Sequence, residues 1–188
     1  MSAEVDDVAL LRACEDPSSG ACARFVAAHL DRVWRYAFAL THDASWAEDV
    51  VQETFLAAIR GAAGFSGSSV RAWLFIIARN AWHRSHRRRV GEPASFEGLD
   101  HLGVAAGWGD PEAHVAAVER AEALSAALGR LDPLDREILA LRDQDGLTGP
   151  EAAEVLQLPL SAVKARLHRA RLRLMCELRS EVGHAAGA

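Results

Sequence analysis

The sequence predicts an all-α protein: two small helical domains joined by a flexible linker, the second containing a helix-turn-helix. Three observations predict it. Apolar residues recur at helical spacing along most of the chain. Capping residues or prolines stand ahead of the periodic runs at Ser45, Asp110-Pro111, Asp132-Pro133, Thr148 and Ser161. One stretch, Val90–Asp110, holds five glycines, a proline, several acids and little periodicity, and it divides the chain.

Taken in order, residues 1–20 form an N-terminal extension with a short helix over Val5–Cys14, broken by Asp16-Pro17-Ser18-Ser19-Gly20. Residues 21–89 form the first domain. Phe25, Val26, Leu30, Val33, Trp34, Ala37 and Leu40 mark an amphipathic helix that ends at Thr41-His42-Asp43. Ser45, with Glu48 as its reciprocal partner, is the expected cap of a helix over Trp46–Arg60. That helix carries Ala47, Val50, Val51, Phe55 and Ile59 on its apolar side. Glu48, Asp49, Gln52 and Glu53 crowd its first two turns. Acids there suit the helix dipole, and equally form a patch for a basic partner helix. Gly61-Ala62-Ala63-Gly64 closes it.

The loop Phe65–Ser69 leads into a helix ending in the arginine run Arg87-Arg88-Arg89. On a helical wheel Val70, Trp73, Leu74, Ile77, Ala78 and Ala81 share an apolar arc. Arg79, Asn80, His83 and Arg87 lie opposite, with Phe75 and Trp82 near one border. A cationic face beside exposed aromatics suits a nucleic-acid strand. An amphipathic core helix with a solvated basic end fits the same pattern.

The linker spans 90–110 and the second domain 111–180, followed by a tail at 181–188. Asp110-Pro111 starts a helix that runs to about Gly129. Asp132-Pro133 starts another, with Leu134, Ile138, Leu139 and Leu141, stopping at Asp145-Gly146. Thr148-Gly149-Pro150-Glu151 is a capping box for a short helix filled by Ala152, Ala153, Val155 and Leu156. Gln157–Leu160 turns the chain, and Ser161 is the expected cap of a last helix over Ala162–Leu178. Residues 148–173 therefore have helix-turn-helix spacing. Leu147, Ala153, Leu158, Val163 and Leu167 form its small core, and Lys164, Ala165, His168, Arg169 and Arg171 project from the second helix.

Composition narrows the function classes. Half of the 188 residues are hydrophobic, and the formal net charge of −5 argues against a general nucleic-acid coat protein. Charge is segregated, however: acid dominates 1–53 and 92–122, base dominates 71–89 and 164–173. No apolar run approaches a membrane span, and the acidic N-terminus is unlike a signal peptide, so a cytoplasmic protein is expected. Cys14, Cys22 and Cys176 lack metal-type spacing and read as thiols in a reducing compartment. His83 and His86 are spaced to share a helix face but lack an evident third ligand, and they read as part of the basic surface. With no nucleophile–base set or phosphate loop, no enzyme activity, metal or cofactor is expected.

Two DNA-type modules joined by an acidic linker resemble the bacterial RNA polymerase sigma factors of the extracytoplasmic-function type, in the sigma-70 family. The matching residues are Ala47-Glu48-Asp49-Val50-Val51-Gln52-Glu53-Thr54-Phe55, Ala72-Trp73-Leu74, Ala78-Arg79-Asn80 and Arg87-Arg88-Arg89. In the second module they are Leu131 to Leu141, Ala152-Ala153-Glu154-Val155-Leu156 and Val163 to Arg171. The resemblance implies that Glu48, Asp49, Gln52, Glu53 and Phe55 dock core polymerase. It implies that Ser66, Ser68, Arg71, Arg79, Asn80, His83, Arg84 and Arg87 serve the promoter's minus-10 element, with the loop Gly64–Ser69 holding a flipped base. Ser161, Lys164, Ala165, His168, Arg169 and Arg171 would serve the minus-35 element. The linker would thread into the polymerase cleft, and an anti-sigma factor would hold the chain inactive. A stand-alone helix-turn-helix regulator is the competing reading: it accounts for residues 111–178 and leaves the aromatic-basic helix and the acidic patch without a role.

Overall fold

The sequence-predicted helices appear in the computed structural model, which describes residues 2–67, 69–89 and 111–185, and every regular element among them is helical. The helices are α1 (Ser2–Ala13), α2 (Ala21–Thr41), α3 (Ala44–Gly61), α4 (Val70–Arg89), α5 (Pro111–Gly129), α6 (Pro133–Leu139), α7 (Gly149–Leu156) and α8 (Leu160–Ala185). The expected linker and the cap at Asp110 lie outside the described residues.

The first domain is built from α2, α3 and α4 around Phe25, Val33, Tyr36, Val50, Phe55, Leu74 and Phe75. Ala37, Ala47, Ala58, Ala78 and Ala81 are fully buried, and these small side chains let the helices approach closely. The N-terminal extension packs on this domain. Leu11 and Cys14 are buried against it, and Asp7 lies 3.4 Å from His29 of α2.

Two expected caps are corrected. Helix α3 starts earlier than expected, and Asp43 is its N-cap, accepting the Trp46 N–H at 2.6 Å. An aspartate in extended backbone caps as well as serine does, and Ser45 falls inside the first turn. Helix α8 likewise begins at Leu160, so Ser161 lies within its first turn, and it continues to Ala185, through most of the expected tail. The buried arc of α4 is also rotated. Phe75, placed near the border by the wheel, is fully buried, whereas Trp73 and Ile77 are only half-buried. Phe75 packs on Tyr36 of α2, and α4 meets α7 of the second domain as well as α2 and α3.

In the second domain α6 passes into a single π-helical turn, Ala140–Gln144, and stops at Gly146 with φ +67°. The Thr148 capping box is formed, its backbone N–H donating to Glu151 at 2.7 Å. Gly149 lies close to the end of the Leu160 side chain: a Cβ there would meet Leu160 Cδ1 at 2.9 Å, which a rotation of that partly exposed leucine relieves. Gln157 ends α7 in the left-handed conformation (φ 55°, ψ 41°), which a side chain tolerates at a cost that glycine does not bear. It is exposed, so nothing in the packing requires its side chain. Gln157→Gly is expected to stabilise the chain by about 1 kcal/mol. A chemical denaturation midpoint that falls in the variant would contradict that account.

Candidate protein and nucleic-acid interfaces

Helices α2 and α3 leave an open groove of about 860 Å³ between them, lined by Val26, Leu30, Trp34, Val51, Phe55 and Leu56 among others. Leu30 and Leu56 are 44% and 46% exposed, which is unusual for large aliphatic side chains facing one another across a groove. Asp31, Glu48 and Gln52 rim it. Of the five residues expected at a protein-docking face, Glu48, Gln52 and Phe55 line this groove, and Asp49 is exposed on α3. Glu53 turns the other way. It accepts Arg84 Nη2 at 2.8 Å and Nε at 3.2 Å, tying α3 to α4. The sequence missed Leu56, which lies off the apolar arc of α3 and is therefore the signal of a second, outward-facing apolar surface.

The cationic face expected on α4 is divided. Asn80 and Arg87, two turns apart, are exposed. Arg84 is paired with Glu53, as above. Arg79 donates through Nε to Glu137 of α6 at 2.7 Å, and Arg71 Nη1 donates to the Asp145 carbonyl at 3.3 Å. Before α4, Ser66 is exposed and Phe65 is buried against Trp73, with ring centroids 4.9 Å apart. Ser68 lies outside the described residues. Ser69 accepts the Ala72 N–H and so caps α4.

The aromatics on this helix are not free stacking platforms. Phe75 packs against Tyr36 (4.8 Å) in the core. Trp82 is half-buried and stacks on His86 (5.5 Å), which in turn stacks on Trp46 (5.8 Å). Burial first, and then Arg79, Arg87 and His86, hold the His83 pKa below its ordinary value.

Helix α8 presents Ser161, Lys164, Ala165, His168 and Arg169 along one exposed face, while Val163, Leu167 and Ala170 face inward. Arg171 lies beside that face and donates to Asp143 through Nε at 2.9 Å. Two further arginines are structural. Arg166 bonds both Asp132 and Asp135 at 2.6 Å, and Arg173 also bonds Asp135, a fully buried carboxylate on α6. These pairs hold the recognition helix at a fixed angle to the rest of its domain.

One buried carboxylate is poorly satisfied. Both oxygens of Asp145 lack a hydrogen-bond partner, although Arg32, Arg35 and Arg71 are nearby. Burial, outweighing those arginines, pushes its pKa up from 3.8 to about 6. A carboxyl with a raised folded-state pKa contributes stability at low pH and loses it as pH rises through the folded value. Asp145→Asn is therefore expected to be more stable than the wild type at pH 7.5, by about 1–2 kcal/mol after allowance for the arginines. The difference should shrink as the pH is lowered to 5, and a difference in Tm that does not change between those pH values would count against it.

Residues 25–91 match the family Sigma-70 region 2, and residues 121–174 match Sigma-70, region 4. The chain is 34% identical to RNA polymerase sigma factor YlaC of Bacillus subtilis (strain 168), across 78% of this chain and 85% of that one. Among solved structures, CnrH in complex with the cytosolic domain of CnrY is similar, with a TM-score of 0.63 and 28% identity. That similarity covers 93% of this chain and 97% of CnrH. The sigma factor RpoE in complex with the anti-sigma factor NepR, from Bartonella quintana, matches with a TM-score of 0.68 and 26% identity, over 84% of this chain and 96% of that one.

Proposed function

From the premise that the chain belongs to the sigma-70 family, as a sigma factor of the extracytoplasmic-function type, we propose a division of labour among its surfaces. A sigma factor is a non-enzymatic subunit of RNA polymerase, so each surface binds rather than reacts. The groove between α2 and α3 docks core polymerase: a partner helix with apolar side chains fills it against Leu30, Phe55 and Leu56, and its polar and basic residues meet Glu48, Asp49 and Gln52, while Glu53, paired with Arg84, braces α3 against α4 behind that face. Loop 64–69 and α4 engage the minus-10 element through Ser66, Ser68, Arg71, Arg79, Asn80, His83, Arg84 and Arg87. Extruding a base costs a few kcal/mol, which contacts in that loop must offset. Helix α8 enters the major groove at the minus-35 element with Ser161, Lys164, Ala165, His168, Arg169 and Arg171. The domains span 21–89 and 111–180, and the acidic stretch 90–110 enters the polymerase cleft between them. The gene set is stress- or signal-responsive, and an anti-sigma factor that covers the Glu48–Phe55 face holds the chain inactive.

The observation that carries this reading is the presence, in one chain, of an open apolar groove rimmed by acids and a separate exposed cationic helix. A stand-alone DNA-binding regulator has no use for the groove. The test is transcription by purified chain and core polymerase on genomic fragments, followed by sequencing of the run-off products. Defined starts with shared upstream elements are expected. Asn80→Ala should weaken minus-10 use and Arg169→Ala minus-35 use, each by about tenfold. No transcripts, with tight polymerase-free binding to duplex DNA, would instead favour the regulator.

A further inference from the structure

Helix α8 is tied to the rest of its own domain along two flanks. Asp135, in the first turn of α6, is fully buried, and each of its oxygens is taken by an arginine of α8. Oδ1 accepts Arg166 Nε at 2.6 Å, and Oδ2 accepts Arg173 Nη1. Arg166 also donates through Nη2 to Asp132 at 2.6 Å. Asp132 is the N-cap of α6 and accepts the Leu134 N–H at 3.0 Å, so the start of α6 is bound to the middle of α8. Arg171 falls on the opposite flank of α8, where its Nε donates to Asp143 of the π-helical turn at 2.9 Å. The exposed face with Lys164, Ala165, His168 and Arg169 lies between these flanks. Asp132, Asp135, Arg166 and Arg173 have no DNA contact assigned to them above.

We propose that Asp135 is a positioning residue for minus-35 recognition: by gripping Arg166 and Arg173 from inside the domain it sets the roll and tilt of α8, and so determines which base edges the outward side chains reach. The inference rests on the sigma-factor reading above and deepens its minus-35 surface. Geometry supplies the first support. Residues seven apart in an α-helix lie about 10 Å apart along the axis and within about 20° of each other around it. One carboxylate that holds both therefore grips a line along α8 rather than a point. A single tie lets a helix pivot about it, whereas two ties on one line fix roll and tilt together. Roll matters because side chains of a helix end about 5–6 Å from its axis. A roll of about 20° carries them about 2 Å, and usable N–H···O distances span only about 0.5 Å. A base contact made at one roll is lost at the other.

The chemistry of the contact is the second support. The inward face of α8 here is a narrow strip, Val163, Leu167 and Ala170, and apolar side chains of this size pack acceptably in more than one register. A buried carboxylate does not. It is costly unless both oxygens are filled, so every placement of α8 that loses one of the two arginines is disfavoured. The carboxylate thus selects one arrangement among several that the apolar strip alone would accept. Arg173 and Arg166 have side chains 56% and 28% exposed, with their heads reaching inward to Asp135. Loss of the Arg173 head therefore leaves the apolar packing of α8 in place and removes one point of the grip. In the basic run 164–173 these two arginines look like further DNA cations; their partners make them part of the mount.

The test uses the full chain with core polymerase, as wild type, Arg173→Met, Asp135→Asn and the double variant. Run-off transcription is measured on a promoter mapped with the wild type, and on versions carrying single-base changes in the minus-35 or the minus-10 element. The readout is discrimination, the yield from the mapped promoter divided by the yield from each changed one. Arg173→Met should keep its helix content by circular dichroism and lose minus-35 discrimination by about tenfold, while minus-10 discrimination stays as in the wild type. Asp135→Asn should lose at least as much, and adding Arg173→Met to it should change nothing further, because the arginine acts through the carboxylate. If Asp135→Asn has lost its helices, Arg166→Met takes its place. The two arginine variants should then flatten the same minus-35 positions, and their combined loss should be smaller than the product of the single losses. Folded variants with wild-type discrimination overturn the inference. So does an Arg173→Met loss that recurs in full beside Asp135→Asn or Arg166→Met, since that marks a direct DNA contact. Equal loss at both promoter elements also overturns it, since that marks a general weakening of the fold. Wild-type transcripts with unchanged variants remove only the positioning role. If the wild type gives no transcripts, the sigma-factor reading falls.

Discussion

Leu56→Glu should weaken binding to core polymerase by a factor of about 30 or more, with no change in helix content or Tm. The side chain is 46% exposed and lines the α2–α3 groove beside Phe55 and Trp34. A residue so exposed contributes little to the fold, so its loss leaves the free chain intact. At a docked interface it is a central apolar anchor, and such anchors carry about 2 kcal/mol or more, which is roughly a 30-fold change in affinity. A glutamate there adds a second penalty, because docking would bury a charge beside the rim acids Asp31 and Glu48. Titration of labelled chain with core polymerase measures the effect. Wild-type affinity in the variant would remove the groove from the polymerase interface, and Leu30→Glu would be the companion check on the opposite wall.

Phe75→Ala should destabilise the chain by about 3–5 kcal/mol, a large part of the ~5–15 kcal/mol typical of a domain. Phe75 is fully buried, and its ring lies 4.8 Å from that of Tyr36 at an interplanar angle of 55°. Truncation removes this tilted aromatic contact and leaves a cavity that α2 and α4 can close only in part. Tyr36 is held in turn by its bond to Glu137, which limits how far it can move into the space. Denaturation monitored by circular dichroism should show the transition shifted by well over 10 °C. A border aromatic, which is where the helical wheel places Phe75, would cost about 0.5 kcal/mol or less. A small shift in Tm would therefore mean that the wheel, and not the observed packing, is correct.

The sequence made the helices and both modules legible because helical periodicity and capping are local signals. Thr148 with Glu151, and Asp132 with Pro133, act within a few residues of themselves, and both form as expected. Alternatives two residues apart are harder to separate. Asp43 and Ser45 are both competent caps, and the choice depends on where α2 ends, at His42 with its left-handed backbone. The buried arc of α4 is rotated from the wheel because Phe75 turns onto Tyr36 of α2, a contact that no pattern within α4 itself announces.

Among candidate site residues, type was readable and partner was not. The sequence identifies Arg71, Arg79 and Arg84 as cations on one helix, but not that Asp145, Glu137 and Glu53 occupy them. Those partners are as far as 74 residues away in sequence. Two signals were nevertheless present. Tyr36, the sole tyrosine, stands on the apolar arc of α2, and a buried phenol needs a hydrogen-bond partner. Asp135 and Glu137 stand among the apolar residues of a seven-residue helix, where at least one acid must face the interior.

The arginine pairs behind α8 have a consequence for how the second domain meets DNA. Counterion release scales with the number of phosphates that cations neutralise. Arg166, Arg171 and Arg173 already have carboxylate neighbours in Asp132, Asp135 and Asp143. Among the described residues, Lys164 and Arg169 are then the permanent cations left to meet phosphates from the exposed face. Two such contacts give a salt exponent of only about −2, far shallower than that of a repressor that grips its operator unaided. On the proposed reading α8 would be a weak electrolyte partner for DNA, suited to checking a sequence already held nearby rather than to capturing one from solution.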